Sequence, residues 1–270
     1  MLAASASLLN IPIVILDIGE QAPAKQIFAP TAPHLTHIDG SFSDPQKTRE
    51  LAAKVDVLTV EIEHINVDVL EEVQQARGTG SVEVHPAPST LRIIQDKFIQ
   101  KEHLQSHDIP VAPFRDVKPT VQGVRDAASS LGLPLMLKSK TLAYDGRGNF
   151  AIRDLSQIQQ ALDSLSERPL YAEKWVPFIK EISVVVVRTT GGKVHSYPIV
   201  ETVHRDNICH LVFAPLRSRD PQISARAQEI AETTVKSLSG AGVFAVEMFL
   251  LGDGMPTSCY IVADAPTAYV

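Results

Sequence analysis

The sequence predicts an α/β chain in which a parallel-sheet domain is followed by a larger α+β domain. Three observations carry that expectation. Strand-like apolar runs alternate with capped helical stretches over the first 88 residues; a proline-containing link, His85-Pro86-Ala87-Pro88, then interrupts the chain; beyond it, glycine-centred turns join consecutive strand-like runs. At 270 residues the chain is longer than one typical domain and can bury a sizeable core. Twenty-five basic against 31 acidic residues give a net charge of −6, which argues against nucleic acid or an anionic membrane as the main partner. Two cysteines, Cys209 and Cys259, are too few for a disulfide framework, so a reducing, cytoplasmic setting is expected. The apolar N-terminal run lacks basic residues, is broken by Pro12 and leads straight into a strand-like segment, so it reads as folded protein. No run reaches the roughly 18 to 20 apolar residues that span a bilayer.

In order, residues 2–9 have helical spacing and Ile13 to Asp17 reads as a strand. Ser43 or Asp44 is placed to cap a helix running through Lys54, Val57 to Glu63 reads as a second strand, and Asn66 caps a helix over 67–77. Alternating strand and helix implies parallel pairing, with ligands beyond the carboxyl ends of the strands. Asp17 and the Glu61/Glu63 pair fall at those ends; solvated strand-end carboxylates are the competing reading. A nucleotide-binding βαβ unit normally opens with a strand and a glycine-rich turn, whereas here no glycine precedes Gly19.

After the proline link, Ser89 is placed to cap one long helix over 90–107 with Asp96-Lys97 in its middle, where a lysine is ordinarily just a solvated side chain. A β-α-β-β-α-β-like module follows: a helix over 121–131, a short apolar run ending at Lys138, a glycine loop, a helix over 155–165 and a strand over 170–176. Glu181 to Arg188 and Val194 to Val200 flank Gly191-Gly192 as a hairpin, Ile208 to Phe213 continues the sheet, and 220–238 is an amphipathic helix. Gly242 to Leu251 reads as a core strand with Glu247 embedded in it. A carboxylate so placed is costly unless it meets a cation, either a basic side chain or a metal.

The chemistry concentrates between Leu133 and Ile152. Lys138 ends a buried run and delivers an ammonium, while Gly146 and Gly148 remove two Cβ atoms within three residues beside Arg147, so backbone N–H groups can approach a phosphate. Asp145-Gly146 between two apolar runs is equally a hairpin-turn signature.

Taken together, Lys97, Lys138, the glycine loop, Glu173, Glu181 and Glu247 resemble the ATP-grasp superfamily in the order that superfamily uses. The resemblance is closer still to the N5-carboxyaminoimidazole ribonucleotide synthetases and to the equivalent ATPase module of the phosphoribosylaminoimidazole carboxylases. It rests on Ala22 to Ile27, Glu61-Ile62-Glu63-His64, Asp96 to Lys101, Tyr144-Asp145-Gly146-Arg147-Gly148-Asn149, Tyr171 to Trp175 and Val246 to Phe249, and covers residues 1–251. It implies a preATP-grasp domain over 1–88 and an ATP-grasp domain over 89–254, with a small lid at about 113–175. It implies a ligase that uses ATP to phosphorylate bicarbonate and then carboxylates the amine of aminoimidazole ribonucleotide in purine biosynthesis. By matching position, Lys97, Lys138, Gly146, Gly148 and His204 would meet the ATP phosphates, Glu173, Lys174 and Val176 would line the adenine, and Glu181 would hold the ribose. Tyr144, Asp145 and Arg147 would act at the second substrate, Glu63 would reach it from the N-terminal domain, and Glu247 would bind Mg²⁺. The family's partners are these small molecules rather than nucleic acid or membranes, and its members are typically homo-oligomers.

Both ends depart from the family pattern. The N-terminal strand with its glycine turn is not found ahead of Met1, and residues 255–270 match neither the second metal carboxylate nor the loop that follows it. The resemblance therefore implies a partial preATP-grasp domain, an incomplete ATP-grasp domain and a non-homologous tail, with impaired turnover of ATP. A non-catalytic ATP-binding remnant and a different ATP-grasp carboxylate-amine ligase are the alternatives.

Overall fold

The computed structural model describes residues 2–27, 33–76, 82–142, 148–165, 168–205, 208–218, 220–252 and 261–269. Two compact units form, one from Met1–Arg92 with Ser239–Gly242 and Ala268–Val270, the other from Ile93–Leu238 with Val243–Thr267.

In chain order the first unit holds α1 (Leu2–Leu8), β1 (Leu16–Asp17), α2 (Pro23–Ile27), a 3₁₀ turn (Pro33–Leu35), β2 (Ile38–Asp39), α3 (Pro45–Ala52), β3 (Val57–Thr59), α4 (Val67–Gln75), β4 (Glu83–His85) and most of α5 (Pro88–Gln95). β1 pairs in parallel with β2, and β3 with β4, as the alternation predicts. The strands are shorter than the apolar runs suggest: 13–15 lie before β1, and Glu61 and Glu63 lie in the loop after β3. Asp44, rather than Ser43, caps α3, accepting from the N–H groups of Gln46 and Lys47; Asn66 caps α4 through the N–H of Val69. Leu58, Val60, Val67, Leu70, Val84 and Leu91 form the core. The late segment Ser239–Gly242 completes this unit. Ser239 N–H donates to Thr90 Oγ1 at 2.8 Å, Thr90 Oγ1 donates to the Ser239 carbonyl at 2.8 Å, and Ala241 N–H reaches His85 Nδ1 at 3.3 Å. Gly240 (φ +83°) has no room for a side chain, since a Cβ there would sit 2.3 Å from Ala87 N.

The expected long helix over 90–107 is two helices. Asp96 adopts extended dihedrals (φ −111°, ψ 108°) and its carboxylate accepts from Phe98 and Ile99 N–H, so α6 (Lys97–Ser106) starts afresh. An aspartate serves a helix start better than a helix interior, because its short side chain competes for the backbone donors. The segment expected to be the lid follows: β5 (Phe114–Val117), α7 (Val121–Leu131), β6 (Leu135–Ser139), β7 (Asn149–Ile152), a 3₁₀ turn (Leu155–Gln157) leading into α8 (Ile158–Ser164), and β8 (Leu170–Lys174). Its sheet is antiparallel in the order β5-β8-β6-β7. One face packs Leu135, Leu137, Ile152, Leu170 and Ala172 against Val124 and Ala127 of α7 and Ile158 and Ala161 of α8.

The larger sheet of the second unit contains β9 (Phe178–Arg188), β10 (Val194–Ser196), β11 (Val200–Arg205), β12 (Ile208–Phe213), then, after α9 (Pro221–Ser237), β13 (Gly242–Leu251) and β14 (Ile261–Tyr269). The order is β12-β11-β9-β13-β14, with β10 beside β9. Residues 261–269 thus extend this sheet. Alternate residues Ile182, Val184 and Val186 of β9 and Phe244, Val246 and Met248 of β13 are buried, as are Ala227, Ile230, Ala231 and Val235 of α9. The Arg188 guanidinium donates to the carbonyls of Val235 and Leu238 at the end of α9, where the Val235 carbonyl also accepts the Leu238 N–H. Among the described residues no helix is long and apolar enough to cross a membrane.

Candidate functional site

Strand alternation decides what each lid residue faces. On β6, Leu135 and Leu137 point into the lid core, so Met136 and Lys138 point the other way; on β8, Leu170 and Ala172 point in and Tyr171 and Glu173 out. Helix α6 covers part of that second face. Phe98 meets Phe114 edge-on at 5.5 Å and Tyr171 at 6.1 Å, and Lys101, with 0 % exposure, places Nζ 2.8 Å from Glu173 Oε1. Lys138 Nζ lies 3.2 Å from the other oxygen of Glu173, close enough for an ion pair but off the hydrogen-bonding direction, so Oε2 has no aligned donor. Glu173 and Lys138 are themselves only 3 % and 9 % exposed. A carboxylate between two ammonium groups is thereby sealed into one end of a cleft.

The rest of that cleft is mostly apolar. Met136, Trp175, Val176, Phe178 and Phe249 line it together with Lys138, Glu173 and Lys174, and Phe178 stacks on Phe249 at 4.5 Å between ring centroids. The lining of flat and flexible apolar groups, with charge at one end, suits a planar heterocycle joined to an anionic tail.

The base of the glycine loop is tied to α6. Ser139 N–H donates to the Gly148 carbonyl at 2.7 Å, closing the hairpin below the loop, and Lys97 N–H donates to the Lys140 carbonyl at 2.7 Å. The first four donors of α6 are consequently all in use: Lys97 on Lys140, Phe98 and Ile99 on the Asp96 carboxylate, and Gln100 on the Asp96 carbonyl. This helix start has no N–H left for an anion, and positive charge at the site comes from side chains. Gly148 (φ +94°) ends the loop; Tyr144, Asp145, Gly146 and Arg147 lie outside the described residues.

A second cluster occupies the larger sheet. His204, beside a register shift on β11, brings Nδ1 to 2.8 Å from Glu181 Oε2 on β9, again near in distance but not aligned as a hydrogen bond. Partial burial, then the negative charges of Glu247 and Glu181, push the Cys209 thiol above its usual range, which puts both carboxylates near that thiol. Glu247 is not embedded as its apolar run suggests. It shares the less buried face of β13 with the cleft residue Phe249, while Val246 and Met248 take the buried face, so its burial is partial. Among the described residues no three His, Cys, Asp or Glu side chains converge to hold a metal. A single hard carboxylate such as Glu247 suits Mg²⁺ where phosphate and water oxygens complete the shell. Glu63 belongs to the first unit, with Oε1 3.9 Å from His64 Nε2.

Of the residues singled out from sequence, Lys138, Glu173, Lys174 and Val176 meet in the cleft, Lys97 anchors the loop base, and Glu181 and His204 meet each other. Sequence reasoning passed over Lys101 and the apolar walls. The signal for Lys101 was its position: it falls three residues after Phe98 and three before Leu104, on the inward stripe of α6.

Residues 1–95 match the ribonucleotide synthetase preATP-grasp domain and residues 102–258 the ATP-grasp domain. The phosphoribosylaminoimidazole carboxylase of Ogataea methanolica is 53 % identical over 254 residues, covering 94 % of this chain and 45 % of its own length. The carboxyaminoimidazole ribonucleotide synthase of Aspergillus clavatus, solved with ATP, superposes with a TM-score of 0.89 at 45 % identity over 99 % of this chain and 66 % of that one. The N5-carboxyaminoimidazole synthase of the same organism, in complex with ADP and 5-aminoimidazole ribonucleotide, superposes with a TM-score of 0.86 at 44 % identity over 97 % of this chain and 66 % of that one. The chain thus spans less than half of the Ogataea relative and about two thirds of the solved chains.

Proposed function

Because the chain belongs to the ATP-grasp family, with a ribonucleotide synthetase preATP-grasp domain ahead of the ATP-grasp domain, we propose that it binds ATP in the cleft beside Lys138 and serves the bicarbonate-dependent carboxylation of aminoimidazole ribonucleotide in purine biosynthesis. The observation that carries this reading is the buried Lys101–Glu173–Lys138 cluster at the charged end of an apolar cleft. The relatives solved with ATP, and with ADP and the ribonucleotide, support the same choice of ligands.

In this reading the adenine lies against Met136, Phe178 and Phe249, with the strand-end backbone of Glu173, Lys174 and Val176 along its edge. Glu181, in contact with His204, takes the ribose hydroxyls, and His204 lies toward the phosphates. Lys97, Lys138 and the loop glycines Gly146 and Gly148 neutralise the phosphate tail, a role left to side chains and loop because the α6 donors are spent. Glu247 would hold Mg²⁺, which would supply neutralisation of the phosphate charge when bound. The γ-phosphoryl group passes to a bicarbonate oxygen as the bond to the ADP oxygen breaks, giving carboxyphosphate. The ribonucleotide amine, held by Tyr144, Asp145, Arg147 and Glu63, then takes the carboxyl carbon as phosphate leaves and the amine loses a proton. Such a transfer needs positioning and charge stabilisation more than a covalent protein intermediate, which fits a site of lysines and carboxylates. A cytoplasmic location and a homo-oligomeric assembly belong to the same proposal.

Calorimetric titration with MgADP tests it. A charge-assisted bond from Lys138 to phosphate is worth about 1.5 to 3 kcal/mol, so Lys138→Ala should weaken binding by about 10- to 150-fold. Equal affinity of the wild type and Lys138→Ala would overturn the phosphate role.

A further inference from the structure

We propose that Lys140 is a positioning residue that clamps the exit of β6 to the start of α6, and so fixes the two supports proposed above for the phosphate tail. The inference rests on the nucleotide reading of the cleft and adds a residue that does not line it. Lys140 stands two residues after Lys138, where the chain leaves β6 for the glycine loop. It brings a further ammonium close to that loop, yet the fold commits the charge elsewhere. Its Nζ lies 4.2 Å from the centroid of the Phe98 ring and 2.7 Å from Asp116 Oδ1, with the side chain 17 % exposed.

Four side chains from three segments close a circuit there. Phe98 of α6 meets Phe114 of β5 edge-on at 5.5 Å and carries the Lys140 ammonium over its face; that ammonium pairs with Asp116, two residues after Phe114 on the same strand. Strand alternation puts Phe114 and Asp116 on one face of β5, opposite Glu173 and Tyr171 of β8. The backbone of Lys140 adds two ties: its N–H donates to the Pro169 carbonyl at 2.8 Å, and its carbonyl accepts the Lys97 N–H at 2.7 Å. An apolar side chain could fill the same space, but it would lack the attraction of a cation to the ring face and to a carboxylate, which gives the contact a direction. Without the ammonium the junction of α6 with the loop base is loosened. The start of α6, which carries Lys97, then samples displaced positions, and affinity for phosphate falls by the fraction of molecules that keep the junction in place.

The test titrates the wild type, Lys140→Met, Phe98→Leu and the Lys140→Met/Phe98→Leu double variant by calorimetry with MgADP and, separately, with adenosine. Loss of the cation–π contact should weaken MgADP binding by about three- to tenfold in Lys140→Met. Phe98→Leu removes no charge and should still weaken it by about two- to tenfold. The double variant should match Lys140→Met rather than multiply the two losses, because both substitutions break the same contact. Adenosine affinity should stay within about twofold throughout, since adenosine has no phosphate to meet the junction. Unchanged MgADP affinity in Lys140→Met would overturn the proposal. So would an affinity untouched by Phe98→Leu, or losses that multiply in the double variant, since these are what a lysine acting by charge alone would give. An equal loss for adenosine would overturn it in favour of a purely structural lysine. Should Phe98→Leu fail to melt cooperatively, Phe98→Met takes its place with the same outcomes. A wild type that binds neither ligand would instead overturn the nucleotide reading itself.

Discussion

Glu201 on β11 shows how this chain handles a second buried carboxylate. Lys180 Nζ donates to Oε2 at 2.7 Å, and the Arg217 guanidinium, packed 3.5 Å over the Phe213 ring, reaches Oε1 at 2.8 Å and Oε2 at 3.3 Å. Arg217 first, then Lys180, hold the Glu201 carboxyl below its ordinary value of 4.5. Because the folded value is the lower one, the stabilisation is fully present above about pH 4.5 and is lost as pH falls through the depressed value. Glu201→Gln should therefore cost about 1 to 3 kcal/mol at pH 7 and flatten the acid arm of a urea-midpoint profile below about pH 4.5. An acid arm as steep as that of the wild type would show that Glu201 is not its source.

At the scale of elements, α6 is the piece on which the site depends, because one helix carries Lys97 and Lys101 and one residue starts it. Asp96→Ala should remove about 1 kcal/mol of stability, and Asp96→Asn should keep most of it, measured by urea denaturation. The same element marks where the sequence could and could not be read. The apolar run Gly242–Leu251 and the helical spacing of Val121–Leu131 coincide with β13 and α7 residue for residue, because in both the periodicity ends where a glycine or a threonine cap stands. The break at Asp96 was missed because helical spacing continues in phase across it, and only the cap geometry separates the two helices. Lys138 and the cleft end of β8 were legible as the end of an apolar run and a family motif. The partnership of Lys101 with Glu173 was not, since it joins residues 72 apart through the packing of α6 on the outer face of the β5-β8-β6-β7 sheet. The degree to which Glu247 is buried was not legible for a related reason: an unbroken apolar run does not say which face of the strand is covered.

The whole molecule has one property that no single element has: its first unit is not contiguous. Thr90, Ala87 and His85 find their partners on Ser239–Gly242, which the chain reaches only after most of the second unit. On a ribosome this becomes a matter of timing. Between the synthesis of Arg92 and that of Gly242 lie about 150 residues, or about 8 to 30 s at ordinary elongation rates of ~5 to 20 residues per second. Over that interval the nascent first unit lacks a segment that it needs, although its amino-terminal 92 residues have already been made; the second unit waits as well, since its strand β13 begins only at Gly242. Stalled nascent chains should show residues 1–92 open to protease until 242 has left the exit tunnel, and protected afterwards. Protection gained as soon as residue 92 emerges would mean that the late segment joins a unit already folded.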